Sequence, residues 1–234
     1  IRQVANWVES AVTETFGLIA LGSLFFFNDS KLRNPKERSE CDSTQTPILM
    51  IHGFLGGSNN WVYHRHLLEA NGHKNVFSIN LGSPFKTIEE YGTAVKEKVA
   101  HIQEITGRKD LILIGHSMGG IVGKEYIYTH AEEQGVNVIG EISLGTPHDG
   151  TRMAPLLSWL LPPAKAMEYR SAYVQGLQVK AEADEKVNYF HIATKTDLII
   201  IPNVSAVSSF AKKQSVAWLE TTGHVGYLFS FTTG

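Results

Sequence analysis

The stretch from Leu111 to Gly120 constrains the fold of this chain more than any other. It reads LILIGHSMGG, a run of large aliphatic residues followed directly by the pattern G-x-S-x-G. An uninterrupted aliphatic run indicates a strand that is buried on both faces of a parallel sheet. After Ser117 the apolar residues resume at helical spacing. A strand, a sharp turn carrying a serine and a helix together form a nucleophile elbow, which exposes the serine hydroxyl at the carboxyl end of the strand.

The segments around the elbow alternate between strand and helix patterns. Strands are predicted at 48–51, 75–81, 111–114, 136–144, 187–194 and 215–220, and helices at 61–70 and 87–105. This alternation predicts a doubly wound α/β fold, in which a mostly parallel sheet carries helices on both faces. A hydrophobic content of 43% over 234 residues is enough for one such domain with a sizeable core. Residues 47–234 are therefore the predicted catalytic domain.

A serine hydroxyl becomes a good nucleophile only when a base takes its proton and a third group holds that base in place. In a doubly wound sheet such partners lie just after the carboxyl ends of later strands. Of the ten histidines, His224 follows the last predicted strand, and Asp197 follows the strand before it. The chain order Ser117, Asp197, His224 is the order expected for this elbow. We predict that these three residues form the catalytic triad.

The other acids and histidines fit this order less well. Asp149 comes too early in the chain, and Asp184 lies in the long interval before the strand at 187–194. His52 precedes the elbow and is expected to fix its own loop by hydrogen bonds. His148 comes before any plausible acid. Five further histidines fall in predicted helices or turns and are expected at the surface: His64, His66, His73, His101 and His130.

The developing oxyanion of a tetrahedral intermediate requires backbone N–H donors. The N–H of Met118 is one candidate, because Met118 directly follows the serine at the positive end of a helix. The second candidate is the N–H of Phe54 in the loop after the first strand. Glycines at positions 53, 56 and 57 are expected to let this loop approach a substrate closely.

Pieces of this chain resemble a known superfamily. IHGFLGG, GHSMGG, LGTPHDGT, TKTDLIIIP and TTGHVG follow one another between residue 47 and about residue 228. In order and spacing they resemble the α/β-hydrolase superfamily, and within it the lipase and esterase branch, in the form of serine lipases of bacterial type. The resemblance implies that the triad named above cleaves carboxylic (acyl) esters through an acyl-serine intermediate, without a cofactor. Some relatives hold a structural calcium, but no cluster of acids in this sequence marks a metal site.

The interval 151–186 is too long for a loop inside a compact domain. It begins with an almost entirely apolar run, passes through two prolines and is predicted to be helical from Ala164 to about Glu185. We interpret it as an inserted helical lid that offers apolar surface to an acyl chain. The alternative is a buried helix beneath a cap. The candidate substrate-binding residues of the lid are Leu156, Leu157, Trp159 and Leu160.

Residues 1–46 lie outside the predicted domain. Residues 4–12 have amphipathic helical spacing, and residues 16–27 form an apolar run shorter than the ~20 residues of a membrane span. Three interpretations stay open for residues 1–27: a helix packed on the domain, an anchor to a membrane surface, and the remainder of a lost span. Residues 28–46 are polar and are predicted to be a linker.

The predicted substrate is a lipid or a small acyl ester. A phospholipase or an acyl-thioesterase would share every motif named above, because function is set by the site rather than by the fold. A membrane-associated binding protein of the same fold, without turnover, is the alternative from a different class. A formal net charge of −2 gives no electrostatic basis for binding nucleic acid. Neither the oligomeric state nor the cellular location follows from the sequence.

Overall fold

A six-stranded sheet forms the centre of this protein, whose computed structural model describes residues 34–35, 38–208, 214–220 and 222–229. The strands are β1 (Ile48–Ile51), β2 (Val76–Ile79), β3 (Asp110–His116), β4 (Asn137–Leu144), β5 (Asn188–Thr194) and β6 (Gln214–Leu219). The helices are α1 (Val62–Ala70), α2 (Ile88–Thr106), α3 (Met118–Tyr126), α4 (Pro162–Ala166) and α5 (Ala172–Ala183). No helix within these described ranges is long and apolar enough to cross a membrane.

All neighbouring strands run parallel, in the order β2-β1-β3-β4-β5-β6. The order reverses at β1, as it must when crossovers wind first to one side of a sheet and then to the other. The predicted doubly wound α/β fold is confirmed. Because every strand points the same way, the loops after all six strands lie along one edge of the sheet, and the site is expected at that edge.

The two faces of the sheet carry separate apolar cores. Leu49 and Ile51 of β1 point to one face, which is covered by α2, α3 and α5. Ile48 and Met50 point to the other face, which is covered by α1 and the short turn Gly226–Leu228. The aliphatic run of β3 divides its side chains between the two cores in the same way, which is why it reads as apolar without interruption.

The long helix α2 begins at a side-chain cap and ends at a glycine. The Thr87 hydroxyl accepts a hydrogen bond from the Glu90 N–H, and the Glu90 carboxylate accepts one from the Thr87 N–H. This reciprocal capping satisfies N–H groups that have no partner inside the helix. Gly107 then ends the helix with a positive φ of 68°. The observed helix agrees with the predicted span 87–105 to within one residue at each end.

The interval 151–186 differs from the prediction of one helix from Ala164 to about Glu185. The chain forms two helices, α4 and α5, separated by residues 167–171. The second helix starts afresh because the Ser171 hydroxyl accepts a hydrogen bond from the Val174 N–H and so acts as an N-cap. Arg170, just before it, has a positive φ of 57°, which is incompatible with a continuous helix.

The described part of the predicted linker contacts the sheet. The side-chain amide of Asn34 donates to the carbonyl of Ser78 (2.9 Å) and accepts from the N–H of Ser78 (2.8 Å), as a neighbouring strand would. The Asn75 side chain similarly donates to the carbonyls of Asp42 (2.7 Å) and Gln45 (2.8 Å). This part of the predicted linker is therefore hydrogen-bonded to the edge strand β2 and to Asn75 just before it. The interpretations of residues 1–27 fall outside the described residues.

Candidate active site

Ser117 occupies a strained turn between β3 and α3. Its φ of 54° and ψ of −124° belong to a region that residues with a side chain rarely adopt. The turn is tight because β3 and α3 pack closely: a Cβ atom on Gly115 would lie 2.4 Å from the backbone nitrogen of Gly120. The Ser117 N–H donates to the Leu144 carbonyl of β4 (2.9 Å), which fixes the turn to the sheet. The hydroxyl is thus held at the carboxyl edge, as predicted for a nucleophile elbow.

The structure brings Ser117, Asp197 and His224 together. The Nε2 atom of His224 is 2.9 Å from Ser117 Oγ, and its Nδ1 atom is 2.8 Å from Asp197 Oδ2. Asp197 and His224 are 1% and 5% exposed, whereas Ser117 is half-buried and accessible. An Nδ1–H donated to Asp197 leaves the Nε2 lone pair facing the serine hydroxyl. This is the tautomer needed to take a proton from serine.

Backbone groups hold the Asp197 carboxylate in its orientation. Its Oδ1 atom accepts hydrogen bonds from the N–H groups of Ile199 and Ile200, each 2.8 Å long. Its second oxygen is left to accept the hydrogen bond from the His224 Nδ1–H. The rival acids bond elsewhere, since Asp149 Oδ1 accepts from the Gln178 amide and Asp184 Oδ1 accepts from N–H groups just after α5.

The loop after β1 lies directly against the elbow. A Cβ atom on Gly53 would be 2.9 Å from Ser117 Cβ, so the next residue, Phe54, lies beside the serine as well. His52 fixes this loop, as expected from the sequence. The Leu81 N–H donates to His52 Nε2 (3.0 Å), so the proton must be on Nδ1, which donates to the Gly53 carbonyl (2.8 Å). The oxyanion-binding roles of the Phe54 and Met118 N–H groups stay predictions.

The insertion is joined at its base to the loop that carries Asp197. The Thr151 hydroxyl donates to the Ile199 carbonyl (2.6 Å) and accepts from the Ile201 N–H (3.1 Å). The Arg152 N–H donates to the Ile201 carbonyl (2.8 Å). The insertion therefore starts at the same edge of the sheet as the candidate triad.

The apolar run of the insertion is exposed. Leu157 is 45% exposed and Trp159 is 81% exposed, with Leu156 and Leu160 between these values. The run forms a short 3-10 turn, Ala154–Leu156, and further turns. The alternative of a buried helix is wrong, because these side chains face outward. Their contact with a substrate stays a prediction.

A second serine–histidine cluster, which the sequence analysis missed, lies deep inside the domain. Ser143 Oγ is 3.0 Å from His148 Nε2 and 2.7 Å from His191 Nδ1. All three side chains are at most 1% exposed. Ser143 on β4 lies opposite His191 on β5. This strand register brings the two together, and the sequence alone does not specify it.

Charged groups surround this buried cluster. Lys124 and Glu141 are both almost inaccessible to solvent. Burial lowers the pKa of the Lys124 ammonium and raises the pKa of the Glu141 carboxyl, and the attraction between the two charges offsets part of each shift. Burial, aided by the Lys124 charge, lowers the pKa of His191 to about 3 and that of His148 well below its usual value. Both histidines are therefore neutral at neutral pH.

The predicted surface position of His64 is wrong. Its side chain is 6% exposed and packs edge-on against Trp61, with ring centroids 5.2 Å apart. Burial lowers the pKa of His64 to about 4. Helix α1 turns this residue toward the sheet, which the short polar pattern HRH did not indicate. Among the described residues, no group of three or more His, Cys, Asp or Glu side chains could hold a metal ion.

Known proteins share this fold and parts of this sequence. A profile of the alpha/beta hydrolase family matches residues 48–229. The mature lipase BlEst2 of Bacillus licheniformis has a TM-score of 0.65 and 20% sequence identity, covering 80% of this chain and 88% of that chain. Aspergillus fumigatus lipase B has a TM-score of 0.67 and 16% identity, covering 84% of this chain and 52% of that chain.

A similarity in sequence also links the chain to a mammalian enzyme. The (lyso)-N-acylphosphatidylethanolamine lipase of Mus musculus is 32% identical over 95 residues. That match covers 38% of this chain and 28% of the mouse protein. The matched segment thus spans less than a third of the length of that relative.

Proposed function

Since this chain belongs to the alpha/beta hydrolase family, we propose that it is a serine hydrolase that cleaves carboxylic esters of lipids. The observation that carries the proposal is the continuous hydrogen-bonded path from Ser117 Oγ through His224 to Asp197, with distances of 2.9 and 2.8 Å. It lies where a doubly wound sheet places its chemistry, at the carboxyl edge of the strands. Serine, base and acid have the separations that proton transfer requires.

The proposed reaction proceeds through an acyl-serine. Ser117 Oγ attacks the acyl carbonyl carbon while His224 Nε2 takes the hydroxyl proton, giving a tetrahedral oxyanion that faces the Phe54 and Met118 N–H groups. As this intermediate collapses, the carbon–oxygen bond to the alcohol breaks, and the proton on His224 passes to the departing alkoxide. Water then repeats the sequence on the acyl-serine: His224 takes its proton, the acid leaves, and Ser117 recovers its hydrogen.

Asp197 supports this cycle through its fixed charge. The imidazolium of His224 forms twice in each turnover, in a site where both partners are nearly excluded from water. A carboxylate 2.8 Å from Nδ1 stabilises that cation, and the two N–H groups on its other oxygen stop it from rotating away.

The choice of Ser117 over Ser143 rests on access. Ser143 also touches histidine nitrogens, but it is 0% exposed and lies beneath the loop after β4. An acyl carbonyl cannot reach it without unfolding that region. Ser117 is half-buried at the edge of the sheet and faces the loop at Gly53.

An exposed apolar rim supports a lipid substrate. It is made up of side chains on loops that follow four different strands: Leu55, Phe85, Leu156, Leu157, Trp159, Leu160, Ile199 and Ile201. Because these loops share the edge that carries Ser117, an acyl chain bound in the site would meet apolar surface. Exposed apolar side chains on several loops of one edge favour contact with a ligand or a membrane. We include in the proposal that residues 151–186 act as a lid on a catalytic domain of residues 47–234.

The names of relatives support the substrate class. The two proteins of similar fold named above are lipases, and the mouse relative is a lipase of (lyso)-N-acylphosphatidylethanolamine. Phospholipid esters therefore belong beside simple esters among the substrates to test. Contact of residues 1–27 with a membrane surface is part of the same proposal.

The test is a rate series on p-nitrophenyl esters from acetate to palmitate. We expect the wild-type rate to peak at long acyl chains, and Ser117→Ala to lower kcat by at least about 10³-fold. Ser143→Ala is the matched control, since it removes the other serine that contacts histidine but leaves the candidate triad intact. It is expected to retain turnover.

A fluorophosphonate probe gives an independent readout. We expect one adduct on Ser117 in the wild-type protein and none in Ser117→Ala. Absence of an adduct in folded wild-type protein, together with no turnover of esters, phospholipids or acyl thioesters, would contradict the proposal and favour a binding protein. Turnover of acyl thioesters alone would keep the triad but change the substrate class.

A further inference from the structure

The residue before the nucleophile makes a contact that the proposed reaction has not used. The Nε2 atom of His116 lies 3.0 Å from the backbone carbonyl oxygen of His224. Because a carbonyl only accepts hydrogen bonds, this nitrogen carries the proton and donates. The side chain is 4% exposed, and the two residues are 108 positions apart in the chain. The bond thus joins the strand of the nucleophile directly to the loop of the base.

Backbone hydrogen bonds within the loop that carries His224 each span three residues. The Gly226 N–H donates to the Gly223 carbonyl and the Leu228 N–H donates to the Val225 carbonyl, each 3.0 Å long. Such bonds shape the turn but do not fix it relative to β3. The His116 bond does, because β3 lies in the middle of the sheet.

Ring packing supports the same contact. The His116 ring centroid is 5.1 Å from that of His224 and 6.2 Å from that of Tyr227. Tyr227 in turn packs edge-on against His224, at 6.3 Å. The buried side chains of His116 and Tyr227 therefore both pack against the imidazole ring of His224.

We propose that His116 is a positioning residue for the proposed reaction: its Nε2–H holds the His224 carbonyl, so that His224 Nε2 keeps its place beside Ser117 Oγ. This inference rests on the proposed function. A base displaced by about 1 Å can lose about 10²-fold in rate, so a bond that fixes its backbone affects catalysis without touching substrate.

A neutral imidazole suits this position better than a cationic side chain. His224 becomes positively charged during the proposed cycle, and a fixed cation on its carbonyl side would oppose that step. Burial, together with the charges of nearby His224, His64 and His52 and against a smaller opposing effect of the bond to the His224 carbonyl, lowers the pKa of His116 to about 3. His116 therefore stays neutral and donates one directed hydrogen bond at any pH where the enzyme would work.

The other side of the His116 ring is closed as well. Its Nδ1 atom has no hydrogen-bond partner among the described residues and lies 3.1 Å from where a Cβ atom on Gly53 would be. The ring thus fills the space between the loop after β1 and the loop of His224, with its single N–H directed to the latter.

A pair of substitutions separates hydrogen bonding from packing. His116→Gln keeps an N–H donor near the position of Nε2. His116→Met introduces a side chain of almost the same shape as glutamine, but without a donor. We expect His116→Met to lower kcat by about 10- to 100-fold with little change in KM, and His116→Gln to recover most of that loss. Equal kcat values for the two variants would overturn the inference.

Histidine NMR tests the inference even without turnover. In wild-type protein with ¹⁵N-labelled histidine, long-range ¹H–¹⁵N spectra should show His116 as the neutral Nε2–H tautomer. Observation of the Nδ1–H tautomer would overturn the inference. This measurement uses wild-type protein, so it does not depend on the folding of any variant. The low-field proton between His224 and Asp197 should shift in His116→Met and be restored in His116→Gln. If wild-type protein turns over no ester, the proposed function fails, while these spectra still decide the role of His116.

Discussion

At the scale of single residues, the site depends on how closely backbone segments approach one another. Ser117 has a conformation that costs about 1–3 kcal/mol and persists only where surrounding contacts enforce it. The loop after β1 supplies some of those contacts, since Gly53 lies against both Ser117 and His116. The sequence suggested that glycines 53, 56 and 57 all serve close approach. Their approach to a substrate stays a prediction, but they differ in their contacts within the protein, since a Cβ atom on Gly57 would meet nothing within 4 Å.

The first prediction compares two glycines of that loop. Gly53→Ala would place a methyl group 2.9 Å from Ser117 Cβ and 3.1 Å from the His116 ring, so the loop must shift away from the elbow. We expect kcat/KM for a soluble ester to fall by about 10- to 100-fold, because the Phe54 N–H moves with the loop.

Gly57→Ala is the control, since it adds the same methyl group to the same loop in open space. It should leave kcat/KM near the wild-type value. Similar losses in both variants would mean that loop flexibility, rather than contact with the elbow, accounts for the effect.

Single residues also show what a sequence can and cannot predict about a site. Ser117, Asp197 and His224 could be found because each follows a strand that has a clear apolar pattern, and parallel strands bring their ends together. The bond from His116 to the His224 carbonyl could not be assigned. Strand alternation places His116 on the face covered by the turn Gly226–Leu228, but it does not specify which backbone group the ring contacts.

At the scale of elements, the strands were more predictable than the insertion. Strand patterns depend on burial against a large sheet, so the six predicted strands match the observed ones to within a few residues. In the interval 151–186, only α5 covers a face of the sheet in this way. Its break at residues 167–171 depends on a serine cap and on Arg170, whose N–H donates to the Asp149 carbonyl (2.7 Å).

The exposed run of the insertion gives a prediction at this scale. Leu156→Ser and Trp159→Ser should weaken turnover of emulsified long-chain esters several-fold, because each removes apolar surface worth up to about 1.5–3 kcal/mol when buried against lipid. Turnover of soluble acetate esters should stay unchanged. Binding to phosphatidylcholine vesicles, measured by sedimentation, should fall in parallel.

Val179→Ser is the matched control, because Val179 lies in the same insertion and is 66% exposed, compared with 65% for Leu156. It is outside the apolar run and should leave both readouts unchanged. Equal losses for Leu156→Ser and Val179→Ser would indicate a general effect of exposed apolar surface and would remove the case for a lid.

At the scale of the whole molecule, the fold buries an unusual number of ionisable groups. Four histidines with lowered pKa values lie inside the described part of the domain: His64, His116, His148 and His191. An unfolded histidine has a pKa of ~6.5, so below that pH the unfolded chain binds protons that the folded protein does not. The stability that these neutral histidines contribute is therefore fully present above about pH 6.5 and is lost as the pH falls toward 4.

This linkage gives the last prediction. The free energy of unfolding in urea should fall steeply between about pH 6.5 and about pH 4.5, by up to ~1.4 kcal/mol per pH unit for each buried histidine. His191→Gln removes one of these groups and should reduce the slope. It retains a neutral polar side chain near Ser143.

His73→Gln provides the comparison, because His73 is exposed and its replacement should leave the slope unchanged. A free energy of unfolding that is constant over this pH range would show that the buried histidines are protonated in the folded protein. None of this burial was visible in the sequence, where HRH in α1 and the single histidines of β3 and β5 look like ordinary polar positions.

Within the insertion, the first segment, residues 151–168, is closed at its base by contacts between its two ends. The Thr151 N–H donates to the Met167 carbonyl (2.8 Å), and Thr151 also forms a parallel bridge with Glu168. Because the entry and exit are joined at one point, the excursion between them can change in length or composition at a small entropic cost. The Asp197 loop is tied to the first residues of this segment, Thr151 and Arg152. Under the proposed function, we therefore expect residues 153–166 to be exchangeable for a segment of different apolar content, so that the preference for acyl chains changes while Ser117, Asp197 and His224 keep their positions.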